Sequence, residues 1–353
     1  MDKLPKTMRA VVYRGVNDLR VEELPVPRIG ANELLVRVAA CGVCPTDIKK
    51  IHYGTVSPPR IFGHETAGTI VRVGTQVRRL EVGDRVGLHH HVPCLECHAC
   101  RHRAYAQCPQ YKRTGITAGF EPAGGGYAEY VRVMPFVLPG VVKIPARNSF
   151  QEGAMLEPVS TVLKAVRRLD LLRGDYVLVM GQGPIGLMFT RLLQLDGYRV
   201  IASDLLDQRL RVAKQFGAMA TLRADSANFV AEVLQATRGQ GVDGAVICAA
   251  SDDAVRQAQA VLRGAGKVLL FAHTRRGAMT SLDLSSICVD EKDLIGSYSS
   301  DVTLQSEVAR LIFSRKLPVE SLITHQFPLE RTTQAVELAA HPTPDSLKIM
   351  VEP

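Results

Sequence analysis

The chain has 353 residues, which is enough for about two domains that each bury a hydrophobic core. Hydrophobic residues make up 46% of it and charged residues 22%, a balance that excludes a disordered chain, and no apolar run reaches the roughly 18 residues of a membrane-spanning helix. The formal net charge is +8, but the Lys and Arg residues are scattered, which indicates a solvated basic surface rather than a nucleic-acid interface.

The N-terminal stretch MDKLPKTMRAVVYRGVNDLRVEE carries a charge every few residues and lacks the apolar core of a signal peptide. We therefore expect a cytoplasmic protein. Thiols stay reduced in the cytoplasm, so the eight cysteines of the chain indicate metal binding or catalysis before disulfides.

The first part of the chain consists of short β-like runs separated by Gly and Pro, such as ELLVRVAACG, GTIVRVG and GYAEYVRV. This pattern predicts a compact β-rich domain before residue 157. Three isolated residues stand out around these runs, namely Cys44, His64 and Glu157. Taken singly, a buried small hydrophobe, a satisfied histidine and a helix-start acid explain them without any chemistry.

Further along, HVPCLECHACRHRAYAQC has the spacing Cys-x2-Cys-x2-Cys-x7-Cys. The two-residue gaps let thiolates converge on one tetrahedral zinc ion, about 2.3 Å from each sulfur. Four thiolates leave no position for substrate, so this zinc would be structural; its ligands are Cys94, Cys97, Cys100 and Cys108. An iron–sulfur cluster uses similar spacing, but no further cysteine run supports electron transfer. The motif alone also fits a zinc-ribbon protein that binds nucleic acid.

The segment DYVLVMGQGPIGLMFTRLLQLD places the pattern G-x-G-x-x-G between an apolar β-like run and a helical pattern. Gly181 permits the tight turn, Gly183 lets the backbone approach a pyrophosphate, and Gly186 allows helix and strand to pack closely. Asp204 closes the next β-like run, where a carboxylate accepts the ribose hydroxyls and repels a 2′-phosphate. The segment therefore predicts a dinucleotide site that favours NAD over NADP.

Strand and helix patterns continue to alternate through GAVICAA, SDDAVRQAQAVLRGAG and GKVLLFAH. This rhythm predicts a doubly wound parallel sheet, the Rossmann arrangement. After about residue 295 the chain has two amphipathic helical patterns and ends in the strand-like SLKIMVEP.

Taken together, these motifs resemble the zinc-containing medium-chain dehydrogenase/reductase family, which includes the alcohol, polyol and threonine dehydrogenases. The resemblance covers almost the whole chain. Its anchors are CGVCPTD, GHETAGTIVRVG, VGDRV, the four-cysteine loop, GGGYAEY, LEPVSTV and GQGPIG.

The resemblance implies a discontinuous, chaperonin-10-like, β-rich catalytic domain over residues 1–157 and 296–353, with an NAD-binding Rossmann domain over 158–295. It also implies a catalytic zinc held by Cys44, His64 and Glu157, with Glu65 as a second carboxylate that exchanges onto the metal. Such an ion lowers the pKa of an alcohol so that hydride can leave its carbon. Thr46 matches the hydroxyl that takes the substrate proton.

Two positions depart from the family pattern. Lys49 stands where many alcohol dehydrogenases carry a relay histidine, and Pro45 stands where some members carry a pyrophosphate-binding arginine. His90 falls at a position that lines the substrate pocket in the family, and a histidine there indicates a hydroxyl-bearing substrate.

For the cofactor, the resemblance assigns Pro184 and Ile185 to the glycine loop and Arg209 to the adenosine ribose. It places further residues beside the nicotinamide, and these are Thr161, Ala249, Phe271, Ala272 and His273.

The sequence therefore predicts a zinc-dependent oxidoreductase that transfers hydride between NAD(H) and a secondary alcohol or ketone, with a polyol or sugar as the expected substrate. We expect one catalytic and one structural zinc per chain, a homodimer or homotetramer, and neither nucleic acid nor membrane as a partner. L-Threonine 3-dehydrogenase activity is the alternative within the family, and a zinc-ribbon nucleic-acid-binding protein is the alternative outside it.

Overall fold

The computed structural model describes residues 4–113, 115–121, 124–272, 277 and 279–353. The chain divides into two compact units. The first unit combines Met1–Ser160 with Ser300–Pro353, and the second unit is Thr161–Ser299. A chain that leaves one unit and returns to it is the discontinuous organisation that the family resemblance implies.

The first segment is built mainly from strands, as the alternating β-like runs predict. In chain order its elements are β1 (Thr7–Gly15), β2 (Asp18–Pro25), β3 (Leu34–Gly42), α1 (Pro45–Tyr53), β4 (Glu65–Val73), β5 (Arg85–Leu88), α2 (His98–Arg101), β6 (Ile116–Thr117), β7 (Tyr130–Val133), β8 (Val141–Lys143), α3 (Phe150–Ala154) and α4 (Leu156–Leu169).

The second unit alternates strands with helices. Its elements are β9 (Tyr176–Met180), α5 (Pro184–Asp196), β10 (Arg199–Asp204), α6 (Asp207–Gln215), β11 (Ala220–Arg223), α7 (Phe229–Ala236), β12 (Val242–Ile247), α8 (Asp252–Val261), β13 (Leu262–Leu270), α9 (Leu284–Val289) and β14 (Asp293–Gly296).

The returning segment completes the first unit. It forms α10 (Gln305–Phe313), β15 (Ile323–Pro328), α11 (Thr332–Ala340) and β16 (Lys348–Glu352). β16 pairs with β3, which joins the C-terminal end of the chain to the centre of the first sheet.

The sheet of the first unit follows the order β15-β16-β3-β4-β5-β8, with β7 also paired to β3. β3, β4 and β5 are antiparallel neighbours, and their buried Val, Leu, Ile and Ala side chains form much of the core. Because antiparallel strands place the end of one beside the start of the next, residues far apart in sequence meet at the edge of this sheet.

The sheet of the second unit follows the order β11-β10-β9-β12-β13-β14, and every pair in it is parallel. The apolar run at β9 is buried along its whole length, as expected for a strand covered on both faces. Sequential strands run outward from β9 in both directions, so the predicted doubly wound parallel sheet is confirmed.

None of the helices in the described ranges combines the length and the apolar character needed to cross a bilayer.

Candidate active site

Four cysteines converge in the loop after β5. The Sγ atoms of Cys94 and Cys100 are 3.9 Å apart, and those of Cys97 and Cys100 and of Cys94 and Cys108 are each 3.6 Å apart. All four lie within 4.8 Å of one another, a spacing that fits the tetrahedral shell of a single zinc ion. The donor set is closed, because sulfur atoms supply all four positions.

Backbone amides favour a thiolate at one cysteine of this loop, Cys108. The amide of Cys97 donates to Cys94 Sγ and the amide of Cys94 donates to Cys108 Sγ, both at 3.4 Å. Burial alone would raise the pKa of Cys108, but the backbone amides of Cys94 and Tyr111 lower it to about 6. A thiol with such a low pKa is ready to bind a metal at neutral pH. The loop has only a small apolar cluster of its own, so a bound zinc would supply much of its stability.

The second group of metal-binding side chains is assembled by strand register. Gly42 at the end of β3 pairs with Glu65 at the start of β4. This pairing brings Cys44, just after β3, beside His64, just before β4. Their donor atoms and a carboxylate oxygen of Glu65 all lie within 4.8 Å of one another. One sulfur, one imidazole and one carboxylate fit zinc and leave a fourth position open.

Asp47 fixes the orientation of His64. Its buried carboxylate lies 3.1 Å from His64 Nδ1 and also accepts the Gly63 amide at 3.2 Å. Burial would lower the pKa of His64, but Asp47 and Cys44 raise it well above the usual value. A carboxylate on Nδ1 leaves Nε2 for the metal, which is the usual support of a zinc-binding histidine. Asp47 is not among the residues predicted from the sequence, although its position three residues after Cys44 was a usable signal.

Lys348 is a second residue beside the metal-binding group that was not predicted from the sequence. Its ammonium group pairs with Glu65 and donates to the Val43 carbonyl at 2.9 Å. Burial would lower the pKa of Lys348, but the charge of Glu65 raises it above the usual value, with a smaller contribution from Glu157. β16 brings this lysine to the site by pairing with β3, and no local sequence motif predicts that pairing.

The two predicted carboxylate ligands occupy different positions. Glu65 belongs to the group whose donor atoms lie within 4.8 Å, and Glu157 is not one of its members. Glu157 is buried in the first turn of α4, and its charge acts on Lys348. Both carboxylates therefore act on the same ammonium group, and Glu65 is the one paired with it.

Thr46 and Lys49 lie on α1, which begins directly after Cys44. The Cys44 side chain caps this helix by accepting the Thr46 amide at 3.5 Å. Thr46 is half-buried in the first turn, and Lys49 lies one turn further along. Burial lowers the pKa of Lys49, and the charge of Cys44 opposes that change.

Cys41 is packed rather than available for ligation. It is fully buried in β3, and burial raises the pKa of its thiol to about 12. A thiol with this pKa stays protonated at neutral pH.

His90 lies beside the metal-binding group for the same reason of register. Thr66 of β4 pairs with Leu88 of β5, so His64 and His90, each two positions from this pair, face each other. The ring centroids of His64 and His90 are 5.1 Å apart, and those of His90 and His91 are 3.8 Å apart. His90 is 3% exposed, and its Nδ1 has no hydrogen-bond partner among the described residues.

The glycine loop of the second unit has the predicted shape. Gly181 follows β9 with a φ of 92°, a conformation that favours glycine, and Gly183 is the N-cap of α5. A Cβ placed on Gly186 would lie 1.8 Å from the Gly181 carbonyl oxygen, so the third glycine is required for the close turn. Pro184 and Ile185 open α5, whose N-terminal amides suit a phosphate group.

Asp204 ends β10 and reaches back to this loop. Its carboxylate accepts the Gln182 amide at 2.6 Å and the Leu206 amide at 2.9 Å. These bonds hold a negative charge beside the glycine loop. Arg209 lies on α6, and its Nε is buried without a hydrogen-bond partner among the described residues.

The remaining predicted cofactor residues are spread over the second unit. Thr161 is on α4, and Ala249 borders the glycine loop, since a Cβ on Gly181 would lie 3.1 Å from the Ala249 Cβ. The amides of Phe271 and Ala272 both donate to the Ile247 carbonyl, which places them at the ends of β12 and β13. His273 lies outside the described residues.

Comparison with known proteins agrees with this geometry. Residues 30–146 match the alcohol dehydrogenase GroES-like domain, and residues 184–314 match the zinc-binding dehydrogenase family. The chain is 31% identical to a sorbitol dehydrogenase of Bacillus subtilis, over 99% of this chain and 98% of the relative.

Solved structures of dehydrogenases share the fold of this chain. A zinc-binding dehydrogenase from Sinorhizobium meliloti bound to NADP superposes with a TM-score of 0.88 at 27% identity, covering 99% of this chain and 100% of that one. The alcohol dehydrogenase rspB from E. coli CFT073, in complex with NADH, superposes with a TM-score of 0.87 at 25% identity, covering 99% and 100%.

The chain therefore belongs to the zinc-containing medium-chain dehydrogenase/reductase family. The predicted pairing of a GroES-like domain with a Rossmann domain is confirmed. The protein is a zinc-dependent oxidoreductase that uses NAD and acts on an alcohol. The zinc-ribbon alternative is not supported.

Proposed function

We propose that the protein oxidises one secondary hydroxyl of a polyol or sugar with NAD and reduces the corresponding ketone in the reverse direction. The observation that carries this proposal is the group of Cys44, His64 and Glu65, an open set of zinc ligands oriented by Asp47. Relatives named sorbitol dehydrogenase support a polyol, and they favour it over the threonine alternative.

In this proposal the first unit carries the chemistry. A zinc ion held by Cys44, His64 and Glu65 would polarise the alcohol oxygen and lower its pKa. The Thr46 hydroxyl receives the proton of the substrate, since a hydroxyl both accepts and donates. Asp47 keeps His64 in one orientation, and Lys348 balances the charge of the buried carboxylates.

We assign Glu65 as the carboxylate ligand and Glu157 as the second carboxylate, which acts on Lys348 and would hold the metal in place of Glu65. Glu65→Gln should then lose one zinc per chain and most turnover, because a neutral amide is a poor replacement for a carboxylate on zinc. Glu157→Gln should keep both zinc ions in the resting protein. Loss of zinc from Glu157→Gln but not from Glu65→Gln would reverse the assignment.

The second unit binds NAD in this proposal, so the catalytic domain covers residues 1–157 and 296–353 and the cofactor domain covers 158–295. Gly181, Gly183, Pro184, Ile185 and Gly186 would hold the pyrophosphate. Asp204 and Arg209 would bind the adenosine ribose. The nicotinamide would contact the remaining predicted residues, namely Thr161, Ala249, Phe271, Ala272 and His273.

We further propose a homo-oligomer in the cytoplasm. β14 is the edge strand of the parallel sheet, and most of its residues are exposed. An exposed edge offers unpaired backbone groups to a second copy. The free cysteines of the zinc loop fit a reducing compartment.

The substrate proposal is tested with a panel of polyols, sugars, simple secondary alcohols and L-threonine, each with NAD and with NADP. The absorbance of the reduced nicotinamide reports turnover. We expect the highest kcat/KM with a polyhydroxylated substrate and NAD. Turnover of L-threonine alone, or of unsubstituted alcohols in preference to every polyol, would overturn the proposal.

A further inference from the structure

One face of α1 carries two lysines beside the proposed proton acceptor. Thr46, Lys49 and Lys50 are separated by three and four positions, so their side chains share one side of the helix. Asp47, Ile48 and Ile51 are buried on the other side. Along the helix axis, Lys50 is about 6 Å from Thr46.

Among the described residues, Lys50 differs from most other lysines in having no hydrogen-bond or ion-pair partner for its ammonium group. It is half-buried, and no hydrogen bond or ion pair joins its ammonium group to any residue in the part of the chain that the structure describes. By contrast, Lys348 pairs with Glu65, and Lys143 pairs with Asp84 at 2.8 Å. A cation that is partly withdrawn from water without a bonded partner loses hydration that an anionic ligand would replace.

In the described part of the chain, the groups whose pKa the charge of Lys50 shifts offer it no free negative charge. Burial is the main cause of the low pKa of His90 and of His91, which falls to about 3, and the positive charge of Lys50 contributes to both shifts. An imidazole carries no negative charge in either its neutral or its protonated state. Lys50 also acts on the pKa of Asp47, after burial and His64, but that carboxylate is already bonded to His64 and to the Gly63 amide.

The position and the missing partner point to one class of ligand. We propose that Lys50 binds an anionic group of the substrate, a carboxylate or a phosphate, so that the preferred substrate is a polyhydroxylated secondary alcohol with an anionic end rather than a neutral polyol. This inference rests on the proposed function. The separation of Lys50 from Thr46 places the anion several carbon atoms from the carbon that is oxidised. Lys49, three positions after Thr46, adds positive charge on the same face.

The test compares three substrates that share a six-carbon polyhydroxyl chain: D-sorbitol, D-gluconate and D-sorbitol 6-phosphate. We expect the wild-type protein to have a higher kcat/KM with at least one of the two anions than with D-sorbitol. The anion that benefits identifies carboxylate or phosphate as the recognised group. The preference should weaken as salt concentration rises, because a partly exposed charge is screened.

Two variants of Lys50 sharpen the test. Lys50→Met should raise the KM for the preferred anion about 10- to 100-fold, since a hydrogen bond to a charged group is lost. The effect on D-sorbitol should be much smaller, because that substrate has no charge to lose. Lys50→Arg should restore most of the anion preference. Lys6→Met is the matched control, since Lys6 is an exposed lysine near the start of the chain. This variant should leave the KM for both substrates unchanged.

Three results would overturn the inference alone. The first is a wild-type preference for D-sorbitol over both anions. The others are a loss of kcat/KM in Lys50→Met that is equal for charged and neutral substrates, or a Lys50→Met variant in which only the KM for NAD rises. The last result would mean that Lys50 contacts a phosphate of the cofactor. Absence of NADH formation with every alcohol tested would instead overturn the proposed function, and the inference would fall with it.

Discussion

The four-cysteine loop and the Cys44–His64–Glu65 group are both sets of zinc ligands, but they are built in opposite ways. The loop gathers four sulfur atoms from one short stretch of chain, and its ligand shell is complete. The second group takes its three side chains from the end of β3 and the start of β4, and its shell is incomplete. A site with a complete ligand shell can therefore be specified by a short stretch of sequence, whereas the site with an open position depends on the register of a whole sheet.

The largest expected effect comes from removing the sulfur of the open site. Cys44→Ala should lower kcat/KM by about a thousandfold or more, since the metal supplies several kcal/mol of stabilisation to the reacting oxygen. Melting temperature should change little, because Cys44 lies at a helix end outside the core. Steady-state kinetics and thermal denaturation check both expectations. Cys288→Ala, which removes an exposed thiol, is the control. Activity within tenfold of wild type would exclude Cys44 as a ligand.

The closed site should show the opposite behaviour. Cys97→Ala should reduce the free energy of unfolding by on the order of 4 kcal/mol or more, because the loop loses its metal. That change corresponds to a fall in melting temperature of roughly 10 °C. Protein that remains folded at low temperature should keep much of its turnover. A variant with normal melting temperature and abolished turnover would mean that the two sites have exchanged roles.

A smaller effect is expected from the residue that orients His64. Asp47→Asn should weaken zinc binding at the open site by about 10- to 100-fold, as is usual when a metal-binding histidine loses its carboxylate. Competition with a chelator measures this affinity, and excess zinc should restore part of the activity. Unchanged affinity would show that Asp47 serves the fold alone.

The smallest effect concerns pH and a residue of neither site. His89 is fully buried, its Nε2 lies 2.9 Å from the Ser300 hydroxyl oxygen, and burial lowers its pKa from 6.5 to about 4. Below pH 6.5 His89 therefore binds a proton in the unfolded chain but stays neutral in the folded protein. The free energy of unfolding consequently declines as pH falls towards 4. At pH 5 this loss is about 2 kcal/mol.

His89→Gln keeps a donor for Ser300 but removes this titration. Urea denaturation of both proteins at pH 7.5 and pH 5, at the same zinc concentration, measures the difference. Wild type should lose about 2 kcal/mol more than the variant between the two pH values. Equal losses would mean that His89 is not buried in its neutral form.

The sequence was sufficient for the features that depend on neighbouring residues. The two-residue gaps between Cys94, Cys97 and Cys100 predict one metal site, and the structure brings those sulfurs together. The glycine pattern after an apolar run predicts the turn at Gly181, and the parallel sheet follows from strands that alternate with helices. Each of these depends on spacing within a single element or loop.

Features that depend on strand register were less accessible. The family resemblance supplied Cys44, His64, Glu65 and Glu157, and strand register brings the donor atoms of the first three within 4.8 Å of one another. The ion pair of Lys348 with Glu65 requires β16 to return beside β3, and no spacing in the sequence predicts that pairing. The neutral state of His90 and His91 likewise follows from burial that only the folded sheet creates.

The existence of the second zinc site is tested most directly by elemental analysis of purified protein after removal of loosely bound metal. We expect two zinc ions per chain in the wild type, one for each group of ligands, and one zinc ion per chain in Cys44→Ala. A wild-type protein with a single zinc ion, or a Cys44→Ala variant that retains two, would contradict this expectation.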